Sequence, residues 1–418
     1  MPSRRADRLE LITVGNELLL GFTVDTNSAE IARTLSAIGV EVVRRTAVPD
    51  RSDAIADAVR DALARTGAVL TTGGLGPTRD DVTKSAVAAL YGVPVEFDET
   101  VWADIVQRFA RAQRAAPASN RTQAEVPRSA TVLRNRWGTA PGLWLEGPPG
   151  LTIMLPGVPG EMRRLLDAEV APRLASRATG AVVRSLLVRT TAIPESSLAE
   201  RMGQIEREIA PLTLAYLPGI EGVDLRVTAW GLDPAEADGR LRSAGDLIRD
   251  RAGEHVYGED GADLAAVVLE RARRAGLSLG AAESCTGGLL GGRITDVPGS
   301  SDVFVGGVVC YADRLKTELL DVSVALIAEH GAVSEQVACA MAEGARARLG
   351  ADLTVSVTGI AGPSGGTPEK PVGTVWFAVA SPGNLESRRV IFFGSRREIR
   401  ERATQTALYL LLRRLLAD

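Results

Sequence analysis

The chain has 418 residues with a net charge of −4, and 24% of them are charged and 45% hydrophobic. That length predicts two or three domains, each with its own core. The near-neutral balance excludes a nucleic-acid-binding excess of basic residues, and no apolar run reaches membrane-spanning length.

Met1 to Glu10 is short and charged and has no apolar segment of the secretory kind, so a cytoplasmic protein with no membrane partner is expected. Cys285, Cys310 and Cys339 form neither a CxxC metal pair nor a disulfide framework. Of the 48 basic residues 45 are arginine, lysine standing only at 84, 316 and 370. Buried lysine can be tuned into a base, whereas arginine keeps its proton, so these three lysines raise a question that an average lysine would not. The two histidines, His255 and His330, leave a Ser-His-Asp triad little to draw on.

In chain order, Leu9 to Val14 reads as a buried strand, Thr26 to Ile38 as a helix and Val40 to Val48 as a second strand. A helix over Ser52 to Ala64, a strand over Ala68 to Thr71 and a helix over Val82 to Tyr91 follow. Alternating strands and helices predict a mostly parallel sheet covered on both faces, with ligands at the carboxyl ends of its strands. The run Gly73-Gly74-Leu75-Gly76 falls there and suits a phosphate, although it is neither a Walker loop nor GxGxxG. Asp80 and Asp81 beside it suggest a divalent cation between carboxylates and phosphates, with Asp50 within reach. The alternative is that Asp80 or Asp81 caps the next helix.

Gly15-Asn16-Glu17-Leu18-Leu19, Val24-Asp25-Thr26-Asn27, and Thr71 through Asp81 resemble the molybdopterin-binding-like domain of the CinA family. Asn120-Arg121-Thr122-Gln123-Ala124, Gly138-Thr139-Ala140-Pro141-Gly142 and Leu155 through Met162 continue the match. The resemblance implies a three-layer α/β/α domain over residues 1–171 in which Asp50 and Asp81 serve nucleotide chemistry. It further implies metal-dependent cleavage of ADP-ribose.

Residues 172–257 read as a smaller α+β unit. It comprises a strand over Val182 to Thr190, a helix over Glu195 to Ile209, a hairpin over Leu212 to Trp230 and a helix over Pro234 to Arg251. Gly219-Ile220-Glu221-Gly222 mimics the GxxG of an RNA-binding KH loop. It lies between strand-like runs, however, and Glu221 would repel a phosphate backbone, so a hairpin turn and no nucleic-acid partner are expected. The resemblance agrees, implying a KH-like domain.

Residues 258–418 form the third predicted domain, again α/β. A helix over Leu264 to Ala275 and a strand over Leu277 to Ala282 lead into Glu283-Ser284-Cys285-Thr286-Gly287-Gly288. That turn is either a tight glycine connection or an acyl-transfer site with a nucleophile and backbone donors. A strand over Val303 to Tyr311 turns at Lys316 into a helix. A helix over Glu335 to Leu349 and a strand over Leu353 to Val357 enter a second glycine turn, Thr358-Gly359-Ile360-Ala361-Gly362-Pro363. Strands over Pro371 to Ala378 and Ser387 to Phe393 and a helix over Arg397 to Leu415 end the chain.

These motifs resemble the CinA C-terminal domain, which implies nicotinamide mononucleotide deamidation with no cofactor. The resemblance places the catalytic Ser and Lys on Ser284 and Lys316. It places substrate binding on Glu283, Thr286, Gly287, Tyr311, Thr358, Gly359, Arg396 and Arg400, and a homodimer is implied as well. The family's Gly-Asp-Arg is Gly394-Ser395-Arg396 here. The chemistry is consistent: a neutral Lys316 would take the Ser284 proton and deliver it to ammonia. Amides of Thr286 to Gly288 or Gly359 to Gly362 would hold the oxyanion. Cys285 is the rival nucleophile, disfavoured by the lack of a histidinium partner. Two other readings are a non-catalytic adaptor in competence or DNA damage and a molybdopterin-pathway nucleotide-binding protein.

Overall fold

The computed structural model describes residues 7–177 and 182–417. The chain divides into two compact units, one of residues 1–184 with 229–240 and one of residues 185–228 with 241–418.

In the first unit a six-stranded sheet runs in the order Glu41–Val48, Arg8–Val14, Ala68–Thr72, Gly150–Leu155, Gly142–Gly147 and Thr131–Leu133. The first four strands are parallel and the last two antiparallel. Side chains alternate across it with the two-residue period of a strand. Leu9, Leu11, Leu70, Ile153 and Leu155 enter one apolar cluster with Ile31 and Leu35 of the helix Thr26–Ala37. Ile12, Val14, Val69 and Met154 enter another with Ile55 and Val59 of the helix Ser52–Thr66. Two clusters on opposite faces make the expected three layers. The sequence pattern predicts no element between Tyr91 and Leu155. The structure places the helix Glu99–Arg111 there, started by Asp98, whose carboxylate accepts from the amides of Thr100 and Val101.

A four-stranded sheet follows, in the order Thr213–Pro218, Val223–Leu232, Val182–Thr190 and Val256–Glu259. The single helix expected over Glu195 to Ile209 is broken into Glu195–Met202 and Ile205–Glu208. Gly203 sits between them at φ 61, outside helical space. Gly219 to Gly222 is the expected hairpin turn, closed by a bond from Gly219 N to Gly222 O of 2.8 Å. Glu221 accepts from Arg189 Nη2 at 2.8 Å and Arg293 Nη2 at 3.1 Å.

The last sheet has the order Phe304–Val309, Leu279–Glu283, Leu353–Gly359, Thr374–Ser381 and Asn384–Ile391. Its first three strands are parallel and the last two form an antiparallel hairpin. The hairpin strands lie a few residues from their expected positions because Pro382-Gly383 makes the tight connection, with Gly383 at φ 74. Phe377 stands fully buried in the core, joined by Ile399, Ala403 and Tyr409 of the long helix Arg396–Ala417, and meets Phe392 edge-on at 6.4 Å. Among the described residues no helix is long and apolar enough to cross a membrane.

Truncation of Phe377 to alanine opens a cavity in that core. It is expected to destabilise the second unit by about 3–5 kcal/mol, read from the urea midpoint of its unfolding transition.

Candidate functional site

Three neighbouring strands of the second unit end together. Ser284 N donates to Val357 O at 2.9 Å and Cys310 N to Glu283 O at 2.8 Å, so the segments that follow Glu283, Val309 and Val357 leave from one edge. Ser284, Tyr311, Lys316 and Thr358 are brought to that edge by topology alone.

The turn after Glu283 is held from two sides. The Glu283 carboxylate is buried and accepts from the amides of Gly288 and Leu290 through Oε2, both at 3.0 Å, and of Gly291 through Oε1 at 2.8 Å. An anion at the start of the helix Leu289–Thr295 satisfies amides that have no partner within it. From outside, Arg400 donates through Nε to Cys285 O at 3.1 Å and through Nη2 to Thr286 O at 2.6 Å. Glu283 and Arg400, both read from the sequence as substrate contacts, are thereby engaged in shaping the turn. Gly287 and Gly288 take φ of 59° and 95°, conformations that side chains rarely adopt.

Two amides expected to stabilise an oxyanion are already spent. Gly287 N donates to Ser284 O and Gly288 N to Glu283. Among the described residues the amides of Cys285 and Thr286 make no backbone hydrogen bond. The Thr286 hydroxyl is buried without a partner.

Lys316 lies in the helix Asp313–Leu320 with 1% of its surface exposed. Its Nζ donates to Cys310 O at 3.2 Å, Tyr311 O at 3.4 Å and Asp313 Oδ1 at 3.1 Å. Three acceptors match the three N–H bonds of an ammonium. No hydrogen bond joins it to Ser284 among the described residues. The thiol of Cys285, the residue next to Ser284, is buried as well. Burial pushes that thiol up to about 12, with Arg400 and Lys316 offsetting only part of the effect. A thiol held this far above neutral pH stays protonated there. Burial likewise pushes Cys310 up to about 11.

Arg396 donates through Nη2 to Tyr311 Oη and through Nη1 to Gly362 O, both at 2.7 Å, tying the segment after Val309 to the second glycine turn. Thr358 Oγ1 donates to Ala332 O at 2.8 Å. Gly359 is required by packing, since a Cβ there would stand 2.8 Å from Thr374 O. Lys370 is a structural lysine, bonded through Nζ to His330 O at 2.8 Å.

The first unit carries its own hollow, about 400 Å³, at the carboxyl ends of its parallel strands. Gly73, Gly74, Gly76, Asp50, Asp80 and Asp81 all line it. Gly73 and Gly74 take positive φ, and a Cβ on Gly74 would stand 2.1 Å from Thr83 Oγ1. Asp81 braces the loop: Oδ1 accepts from Gly76 N at 2.7 Å, and Oδ2 from Thr78 N at 2.8 Å and Thr78 Oγ1 at 2.5 Å. Asp50 Oδ2 accepts from Asn16 N at 2.8 Å. Neither Asp80 nor Asp81 caps the helix Thr83–Tyr91, whose cap position is Val82 without a side-chain bond. Asp80 is exposed, and a bond from Thr78 holds its carboxyl below the usual range. Among the described residues no group of three His, Cys, Asp or Glu side chains is placed to hold a metal.

Two residues of this region went unplaced in the sequence. Glu161 lines the hollow, its carboxyl pushed up by burial. Lys84, whose rarity was the available signal, is buried behind the glycine loop and donates to Thr122 O.

Three families match in succession. The molybdopterin binding domain covers residues 10–176, the damage-inducible protein CinA KH domain residues 185–258, and the CinA C-terminal domain residues 261–415. That order defines a three-module α/β protein whose two larger modules each hold one of the sites just described. The chain belongs to the CinA family. It is 51% identical to a CinA-like protein of Gemmatimonas aurantiaca across 96% of this chain and 94% of that one. It is 44% identical to a CinA-like protein of Parasynechococcus marenigrum across 98% and 99%. A crystal structure of a competence/damage inducible protein from Agrobacterium tumefaciens is 41% identical, covering 36% of this chain and 92% of that one, with a TM-score of 0.35.

Two predictions test this geometry. Glu283→Ala orphans three amides at about 1 kcal/mol each, so the second unit is expected to lose roughly 3 kcal/mol in urea denaturation. Burial pushes the Lys84 ammonium down from 10.5 to about 8. Between those values the unfolded chain binds more protons, so stability rises with pH across that window, by roughly 3 kcal/mol at most. Denaturant midpoints at pH 7.5 and 10 are expected to show the rise in the parent and to lack that part of it in Lys84→Met.

Proposed function

We propose that the second unit is a nicotinamide mononucleotide amidohydrolase. The observation that carries the reading is the convergence of Ser284, on a turn braced by Glu283 and Arg400, with buried Lys316 at one sheet edge. Ser284 Oγ attacks the carboxamide carbon. Lys316, in its neutral form, takes the hydroxyl proton and passes it to the departing ammonia. A lysine serving as base must give up one of its three present acceptors, and the Asp313 carboxylate, on the exposed side, is the one that substrate entry can displace. The amides of Cys285 and Thr286 hold the oxyanion, each worth roughly 3 kcal/mol at the transition state. Water then hydrolyses the acyl-serine to the nicotinate form. Arg396, with Tyr311 beside it, suits the nucleotide phosphate.

For the first unit we propose metal-dependent pyrophosphate cleavage of ADP-ribose. The loop Gly73 to Gly76 receives the phosphates. Asp80 and Asp81 would supply two carboxylates to a divalent cation, which would neutralise phosphate charge there.

Ammonia release from nicotinamide mononucleotide tests the first reading. Ser284→Ala and Lys316→Arg are each expected to lower kcat by a factor of 10³ or more, while Cys285→Ser retains turnover. Undiminished turnover in the first two variants would sink the dyad, and loss confined to Cys285→Ser would transfer the role to the thiol. In the first unit, Asp80→Ala is expected to abolish metal-dependent AMP release with little change in melting temperature. Asp81→Ala is expected to lose both activity and loop order.

A further inference from the structure

The first unit contains a second, larger hollow of about 640 Å³ between the helix Glu99–Arg111 and residues 132–141. Thr139 lines both this hollow and the glycine-loop hollow. Val101 and Ile105, nearly buried, contribute apolar surface. Four arginines stand around it, Arg108, Arg111, Arg134 and Arg136, against one carboxylate, Asp104.

Two of the four are committed. Arg108 donates to Arg136 O at 3.0 Å and to Trp137 O, fastening the helix across the hollow, and its charge is felt by Glu161. Arg134 Nε pairs with Asp104 at 3.2 Å. The side chains of Arg111 and Arg136 have no carboxylate or hydrogen-bond partner among the described residues, although the chain is net acidic. Forked donors left unpaired beside an apolar patch match the bidentate geometry of a phosphate.

We infer that this hollow is an anion subsite continuous with the glycine-loop site, and that it takes a phosphate borne by the same nucleotide away from its pyrophosphate. The ligand class is a nucleoside diphosphate sugar with an additional ribose phosphate. The inference rests on the nucleotide reading of the first unit.

The test titrates the full chain calorimetrically with ADP-ribose and with 2′-phospho-ADP-ribose, which differ by one phosphate. The parent is expected to bind the phosphorylated ligand at least tenfold more tightly. Arg111→Ala/Arg136→Ala is expected to bring the two dissociation constants within twofold of each other, and the lysine pair to keep part of the ratio. A parent ratio near one, or a ratio kept in the alanine variant, overturns the inference. Should neither nucleotide bind, the nucleotide reading falls and inorganic tripolyphosphate becomes the probe. Binding that the alanine pair abolishes then sustains an anion subsite, and binding that is absent or insensitive to the pair overturns it. Both side chains are exposed, so matching thermal melts are expected.

Discussion

The second unit depends on one buried carboxylate. Glu283 accepts three amides of the segment that follows Ser284, and so fixes where the strand stops and the helix begins. A buried charge is tolerated when it is hydrogen-bonded, and here its partners are the amides that a helix start leaves unpaired. Arg400 closes the same turn through two carbonyls. Donors on one side and acceptors on the other hold residues 284–287 in a single shape without using the Ser284 hydroxyl.

Lys316 and Cys285 illustrate how burial separates roles. Both are buried next to the same strand end. Lys316 is surrounded by oxygen acceptors and keeps contact with an exposed aspartate, whereas Cys285 packs among Leu290, Ile294 and other core side chains. The same low-polarity surroundings suppress the thiolate of Cys285.

In the first unit, the residues that shape the loop also line the hollow. Asp81 braces Gly76 and Thr78, Asp50 braces Asn16, and Asp80 lies exposed with a bond from Thr78 on its carboxylate. An aspartate in a glycine loop therefore has two uses, and only its hydrogen bonds tell which oxygen is already taken.

The sequence by itself determined the class of fold, because two-residue and helical periodicities select strands and helices and their alternation selects a parallel sheet. It also singled out Ser284 and Lys316 as candidates, since glycines that demand positive φ mark the turn and the scarcity of lysine draws attention to Lys316. Three things it did not determine. The helix Glu99–Arg111 is started by an aspartate cap that also reads as an ordinary loop residue. The break at Gly203 and the register of the hairpin around Pro382-Gly383 depend on single glycine conformations. The bonds by which Glu283, Arg396 and Arg400 hold the two glycine turns were decided only by tertiary structure. A charged side chain carries the same letters whether it faces a substrate or a neighbouring amide, and its hydrogen-bond partners lie as far as 115 residues away in the chain.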